Sequence, residues 1–264
     1  MDTFSAPRME PAADSDPAEW LVNGLAHAEH TVRSLLPAGY AAYARILHPA
    51  ESPDGEPVRW ADVARWSARV LHPLARFDAL AHPVPATETG PPPFDDPPWP
   101  GSLTADDLGA LLPVLAAHTD TAGDCWFCVW DGWGWLASPE TQTTLRAGRG
   151  TRADDAATVT PPGVRLPPNA PRVHLPARGY LLFHGPLRAA ADLGDRGEDY
   201  FFPQSPNLFW PDDRAWCVAT DVDLTSTYVA GSRELVGAIL ATDTLEALPA
   251  RPDDPAGEHG DPVN

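Results

Sequence analysis

The chain has 264 residues, 37 of them acidic and 18 basic, which gives a formal net charge of −19, and 43% of it is hydrophobic. So much apolar content excludes a disordered chain, and so acidic a surface repels phosphate backbones and anionic lipid heads, which argues against nucleic acid and membrane as partners. Every basic residue is arginine; a basic protein, a cation or a neutral small molecule is the partner chemistry that remains.

Residues 1–15 are polar and aperiodic and read as a disordered lead-in. Asp16, Pro17 and Glu19 then have the order of an N-cap, a first-position proline and an acidic first turn. Leu21, Leu25, Ala28, Val32, Leu35 and Leu36 continue at helical spacing until Pro37. Residues 40–47 read as a strand, and Ser52-Pro-Asp-Gly55 as a turn. Residues 61–70 read as a helix with Val63 and Trp66 inward. Proline crowds residues 83–102 into a loop. Thr104 and Asp107 resemble a capping box before the stripe Leu108, Leu111, Leu112 and Leu115.

The sharpest local signal is Cys125-Trp-Phe-Cys-Val-Trp-Asp-Gly-Trp-Gly-Trp-Leu136. Asp131-Gly132 between apolar runs predicts a two-residue hairpin turn, with residues 125–130 and 133–136 as its strands. Alternation then puts Trp126, Trp130, Trp133 and Trp135 on one face, and Cys125, Phe127, Val129 and Leu136 on the other. Residues 137–170 are a long polar loop. Residues 172–175 and 179–184 read as strands, 186–193 as a short helix, 195–214 as a loop, and 215–224 as a strand. Ser232 caps a helix to about Ala241, 245–248 is a last strand, and 251–264 is a disordered acidic tail. The order is not a βαβ alternation. It predicts an α+β fold with a largely antiparallel sheet, a central Trp-rich hairpin and several short packing helices, in one domain over residues 16–250.

Three cysteines, Cys125, Cys128 and Cys217, are too few and odd in number for a disulfide framework. No N-terminal stretch pairs a basic with an apolar region, and no apolar run nears the ~18 residues of a membrane span. A cytoplasmic location is expected. No glycine-rich phosphate loop, nucleophile elbow or HExxH motif is present.

The candidate sites are few. Four indoles on one hairpin face offer a stacking platform for a ring or cation (Trp126, Trp130, Trp133, Trp135), or simply a packed core. Asp221 and Asp223 bracket Val222 at a strand end, where both carboxylates share a face and can hold a hard cation or divide acid and base roles. His184, ending a neighbouring strand, is the group that would join them; the plain alternative is an acidic solvent face. Cys125-x-x-Cys128 has redox or zinc spacing, yet on a strand the two thiols point apart and there is no second cysteine pair. His48, His72 and His82 each precede proline in loops, where three histidines can converge on a metal as in catalytic zinc sites, but His-Pro is also an ordinary way to end an element. Gly231-Ser232-Arg233 can hold an anion at a helix start or merely cap it. No cofactor and no metal set is assigned.

The segments Tyr43-Ala-Arg-Ile-Leu-His-Pro49, Val58-Arg-Trp-Ala-Asp-Val63, Phe127-Cys-Val-Trp-Asp-Gly-Trp133, Tyr180-Leu-Leu-Phe-His-Gly185 and Asn207-Leu-Phe-Trp-Pro-Asp-Asp-Arg-Ala-Trp-Cys-Val-Ala-Thr-Asp-Val-Asp223 resemble those of a group of uncharacterised actinobacterial proteins, over residues 20–253. That resemblance implies no activity. Leu36-Pro37-x-x-Tyr40 after a helix, with scattered Trp in an acidic chain, is similar to the SUKH superfamily of immunity and binding proteins. The expected function is that of a non-catalytic acidic binding protein, of immunity or regulatory type, with a basic protein partner. The alternative is a metal-assisted hydrolase or transferase that uses Asp221 and Asp223 with His184.

Overall fold

The computed structural model describes residues 9–25, 30–84, 90–136, 170–175, 178–196, 199–257 and 260–264. Among them lie thirteen strands. In chain order these are β1 (Glu10–Pro11), β2 (Ala42–Leu47), β3 (Ala50–Glu51), β4 (Pro57–Val58), β5 (Cys125–Trp130), β6 (Arg172–His174), β7 (Gly179–Gly185), β8 (Gly194–Arg196), β9 (Phe201–Pro203), β10 (Leu208–Pro211), β11 (Cys217–Ala219), β12 (Ser226–Gly231) and β13 (Ala247–Ala250). The α-helices are α1 (Glu19–Gly24), α2 (Trp60–Ser67), α3 (Phe77–Leu80), α4 (Ala105–Ala116) and α5 (Arg233–Leu240). The expected cap at Thr104 is present: its Oγ1 accepts from Asp107 N at 3.1 Å, and Ser232 Oγ does the same for Leu235 N at the start of α5.

Nine strands form one sheet in the order β1-β7-β5-β10-β11-β12-β2-β13, with β6 also on β7. All of its pairings are antiparallel, so the fold is α+β as the element order predicts. Both faces are buried, and alternation along each strand divides the core. Phe127, Val129, Phe183, Phe209, Val218 and Val229 point to the side packed by α4, α5 and the 3-10 turn Leu187–Asp192. Cys128, Tyr180, Leu182, Trp210 and Tyr228 point to the side packed by α1 and Val32–Leu36. A third cluster gathers Trp60, Val63, Phe77 and Leu80 of α2 and α3 beside Leu47. The two outermost strands each carry a proline, Pro11 in β1 and Pro249 in β13. A residue without an N–H blunts an edge against further strand pairing.

Several expectations need correction. The first helix ends at Gly24, because Leu25 is extended (φ −76°, ψ 131°), and Val32–Ser34 is a separate 3-10 turn. Gly24 packs closely on Pro37, where an added Cβ would sit 3.1 Å from the proline side chain. The hairpin forms only its first strand. After Trp130 the chain turns, and Gly134–Leu136 is a 3-10 turn, not a strand; β5 instead pairs with β7 and β10. Residues 195–214 contain β8, β9 and the central strand β10, hidden in the sequence by Pro203, Pro206 and Pro211. The strand expected over 215–224 is shorter, Cys217–Ala219, and after a turn comes β12 (Ser226–Gly231), buried throughout, where the sequence predicts no strand.

Both ends of the chain also differ from expectation where they are described. Glu10 and Pro11 pair with His184 and Phe183. Residues 251–257 run along the Val32 turn, with Val32 N donating to Asp254 O and Ala256 N to His30 O. Asp261 then accepts from His72 Nε2 at 2.8 Å and from Arg76 N at 3.1 Å. Residues 1–8 and 137–169, most of the expected lead-in and of the long polar loop, lie outside the described residues, as do 85–89 within the expected 83–102 loop.

Candidate functional site

The sheet does not bring His184 to Asp221 and Asp223. The two aspartates lie in the turn between β11 and β12, beyond Ala219, and Arg178 reaches both. His184 is near the other end of β7, and its seven residues at roughly 3.3 Å each hold the ends about 20 Å apart. The strand geometry expected for the aspartate pair is also absent. Asp221 Oδ1 accepts from Asp223 N at 3.0 Å, which closes a tight side-chain turn.

Arg178 gives this end its electrostatic character. Its Nη2 is 3.4 Å from Asp221 Oδ1 and also pairs with Asp223 Oδ2, while its guanidinium carbon stands 5.5 Å from the centre of the Trp130 ring. Burial opposes the charge on Arg178, but Asp221 and Asp223 outweigh it and raise its pKa. The two carboxylates therefore already have their cation. Beside them Arg172 Nε pairs with Asp131 Oδ2 at 3.1 Å. Burial, reinforced by Asp221, pushes the Tyr180 phenol well above its usual range, so it stays protonated.

At the opposite end Glu10, His184, Trp126 and Trp210 form a row across four strands. The His184 and Trp126 rings are 4.4 Å apart, and His184 Nε2 is 3.8 Å from Asp124. Trp126 Nε1 donates to Asp212 Oδ1 at 3.0 Å, and Trp210 meets Trp20 edge to face at 5.7 Å. This row offers aromatic packing with carboxylates at its margin. It presents no nucleophile beside a base.

The four hairpin indoles are divided between the faces. Trp126 and Trp130, half-buried, pack on the Cys128 side, whereas Trp133 and Trp135 pack against the Phe127 side. The cause is the turn: leaving the strand at Trp130 breaks the alternation. Trp130 still meets Trp133 edge to face at 5.4 Å, but the four indoles form no continuous platform. Cys125 and Cys128 do point to opposite sides, and all three thiols are free and buried. Burial, then Asp124, pushes Cys125 up to about 12, far from a reactive thiolate. Among the described residues no three His, Cys, Asp or Glu side chains are placed to hold a metal ion.

Two buried polar residues organise the Trp130 end: Asn207, which the sequence does not announce, and His48, which stands out there only as a histidine before proline. Asn207 Oδ1 accepts from Trp130 N at 2.8 Å and from Trp133 Nε1 at 3.2 Å, while its Nδ2 donates to Thr220 O. His48, only 1% exposed, holds Trp99 O at 3.0 Å through Nδ1 and Thr227 Oγ1 at 2.9 Å through Nε2. A carbonyl only accepts, so Nδ1 carries a proton; burial keeps the ring neutral, and Nε2 then accepts from Thr227. The Thr227 hydrogen being spent, Thr220 donates to Thr227 at 2.6 Å. This chain resembles a base activating a hydroxyl, but Thr227 is fully buried. Its role is to fasten the Trp99 loop to the sheet.

No helix among the described residues is long and apolar enough to cross a membrane. No protein-family model, curated protein or solved structure matches the chain.

Proposed function

We propose that this is an acidic binding protein, of immunity or regulatory type, that engages a more basic protein partner and performs no chemistry of its own. One observation carries the reading: acidic residues outnumber basic ones 37 to 18, and several of the arginines are spent on backbone carbonyls instead of carboxylates. Arg45 donates to Pro73 O and Ala75 O, Arg59 to Asp243 O, and Arg69 to His82 O and Asn264 O. These three cations satisfy backbone carbonyls, and even with Arg33, Arg65, Arg76, Arg172 and Arg178 paired to carboxylates the chain keeps its formal charge of −19. Such a field steers a cationic partner and repels nucleic acid and anionic membrane. The separation of His184 from Asp221 and Asp223, and the arginine already between those two, weigh against the hydrolytic alternative. Three free buried thiols suit a cytoplasmic location, and the SUKH likeness suits an immunity-type role.

The test is capture from a host lysate on immobilised protein at about 50 and 500 mM salt, which spans the range where screening removes surface attraction. The reading expects a small set of basic proteins retained at low salt and released at high salt. Captured proteins no more basic than the lysate, or retention indifferent to salt, would overturn it.

A further inference from the structure

We infer that Trp99 is the contact point for the partner, clamping an arginine side chain between its indole and the carboxylates beside it; this rests on the acidic-binder reading above. Trp99 is 75% exposed, the most exposed large hydrophobic residue among those described. Its loop is nonetheless fixed. Asp95 N and Asp96 N donate to Glu51 O at 2.8 and 3.2 Å, and Glu51 N donates back to Asp96 O at 3.0 Å. His48 holds the Trp99 carbonyl itself, and Gly101 N donates to Leu224 O at 2.9 Å. Gly101 takes φ +84° with Val222 so close that a Cβ would meet its carbonyl oxygen at 2.8 Å. Pro97, Pro98 and Pro100 stiffen what lies between, and Pro98 is buried. A large apolar side chain is thus held out into solvent by a buried histidine, two prolines before it and one after, rather than left there by a slack loop. Pre-ordering of this kind lowers the entropy lost when a partner closes on it.

The other indoles indicate the chemistry of the occupant. Arg45 stands 5.3 Å from the Trp60 ring centre, Arg178 5.5 Å from Trp130, and Arg214 5.0 Å from Trp20. Among the described residues Trp99 has no such cation. Glu51, Asp95 and Asp96, all exposed, surround the base of its loop and are in no ion pair with a described arginine. An open indole face with carboxylates three and four residues before it is complementary to a planar guanidinium, which stacks on the ring and donates at its edge. The partner that fits is a protein presenting an arginine-rich segment.

The experiment uses hexa-arginine amide as the probe, titrated calorimetrically against the full chain and its Trp99→Leu, Trp99→Phe and Asp95→Asn/Asp96→Asn variants at about 20 and 200 mM salt. Trp99 touches little, so the melting temperature should stay within about a degree and serve as the folding control. Leucine keeps apolar bulk without the ring quadrupole, and the inference expects it to weaken binding about three- to tenfold, with phenylalanine within about twofold of wild type. The double asparagine variant should lose affinity mainly at low salt. Salt-dependent binding that Trp99→Leu leaves unchanged overturns the clamp but spares the acidic-binder reading. Equal loss in the leucine and phenylalanine variants overturns the arginine assignment in favour of a partner pocket that takes the indole. Failure of wild type to bind the probe at low salt overturns both.

Discussion

His48 Nε2 accepts a hydrogen bond from Thr227 Oγ1 at 2.9 Å, and the opposite ring nitrogen donates to the carbonyl of an exposed residue, Trp99. Burial, more than these contacts, keeps the ring neutral at neutral pH. Burial lowers its pKa from 6.5 to about 4, opposed by the hydrogen bond to the Trp99 carbonyl. Because the unfolded chain takes up the proton more readily, stability is complete above pH 6.5 and falls as the pH drops toward 4. From this one residue the loss should reach roughly 3 kcal/mol. Denaturant melts of wild type and His48→Gln across that range should show the extra slope in wild type alone. Parallel slopes would contradict it.

Gly132 is required for a reason other than its backbone freedom. It does not adopt positive φ; instead an added Cβ would fall 2.2 Å from Trp130 Cζ2. Gly132→Ala should cost about 1–3 kcal/mol, the usual range for overpacking. In a Trp130→Leu background most of that cost should vanish, and a double-mutant cycle measures the difference. Additive losses would mean that the turn, and not the indole, sets the need for glycine.

How much of this is legible in the sequence depends on whether the signal is local. The caps at Thr104 and Ser232, the stripe in α4 and the strands β2, β5 and β7 all rest on neighbouring residues, and they stand where periodicity puts them. The second hairpin strand does not form because Asp-Gly specifies a turn but not the path of the chain beyond it. Gly134 and the bond from Trp133 Nε1 to Asn207 draw the chain away. β12 is unreadable because Ser226 and Thr227 look like loop residues until Arg45, Thr220 and His48 supply their partners. Asn207 and His48, which set the geometry around the Trp130 end, bond to residues far away in sequence, and in the sequence His48 is no more than a strand-ending His-Pro.

Arg178→Gln should destabilise the fold by about 1–2 kcal/mol. Asp221 and Arg178 are mostly covered, whereas Asp223 is exposed and screened by water. Wild type should show no change of melting temperature on addition of millimolar calcium or manganese. A stabilisation of several degrees that Asp223→Asn removes would restore a cation site at this turn.

Asp261 anchors the last described segment. Burial pushes its pKa upward, but hydrogen bonds from Asn264, with His72 and Arg76 N, outweigh that and hold the carboxyl well below its usual range. Leu74 N donates to His72 Nδ1 at 3.3 Å, and His72 Nε2–H donates a hydrogen bond to the carboxylate. The stabilisation is present in full above the unfolded carboxyl pKa of about 4 and is lost as the pH falls below it. Asp261→Asn should raise hydrogen exchange at the Val263 and Asn264 amides, both of which donate to Asp261 Oδ1, by about tenfold at neutral pH. Unchanged exchange would show that the segment is held by Asn264 alone.

The central claim is that an unneutralised acidic surface recruits a basic protein, and the association rate of the captured partner with the purified chain tests it most directly. Measured by stopped flow from about 20 to 500 mM salt, that rate should fall tenfold or more, while the dissociation rate changes far less, because screening removes the steering field before it weakens close contacts. An association rate that stays flat over the same range would contradict the claim.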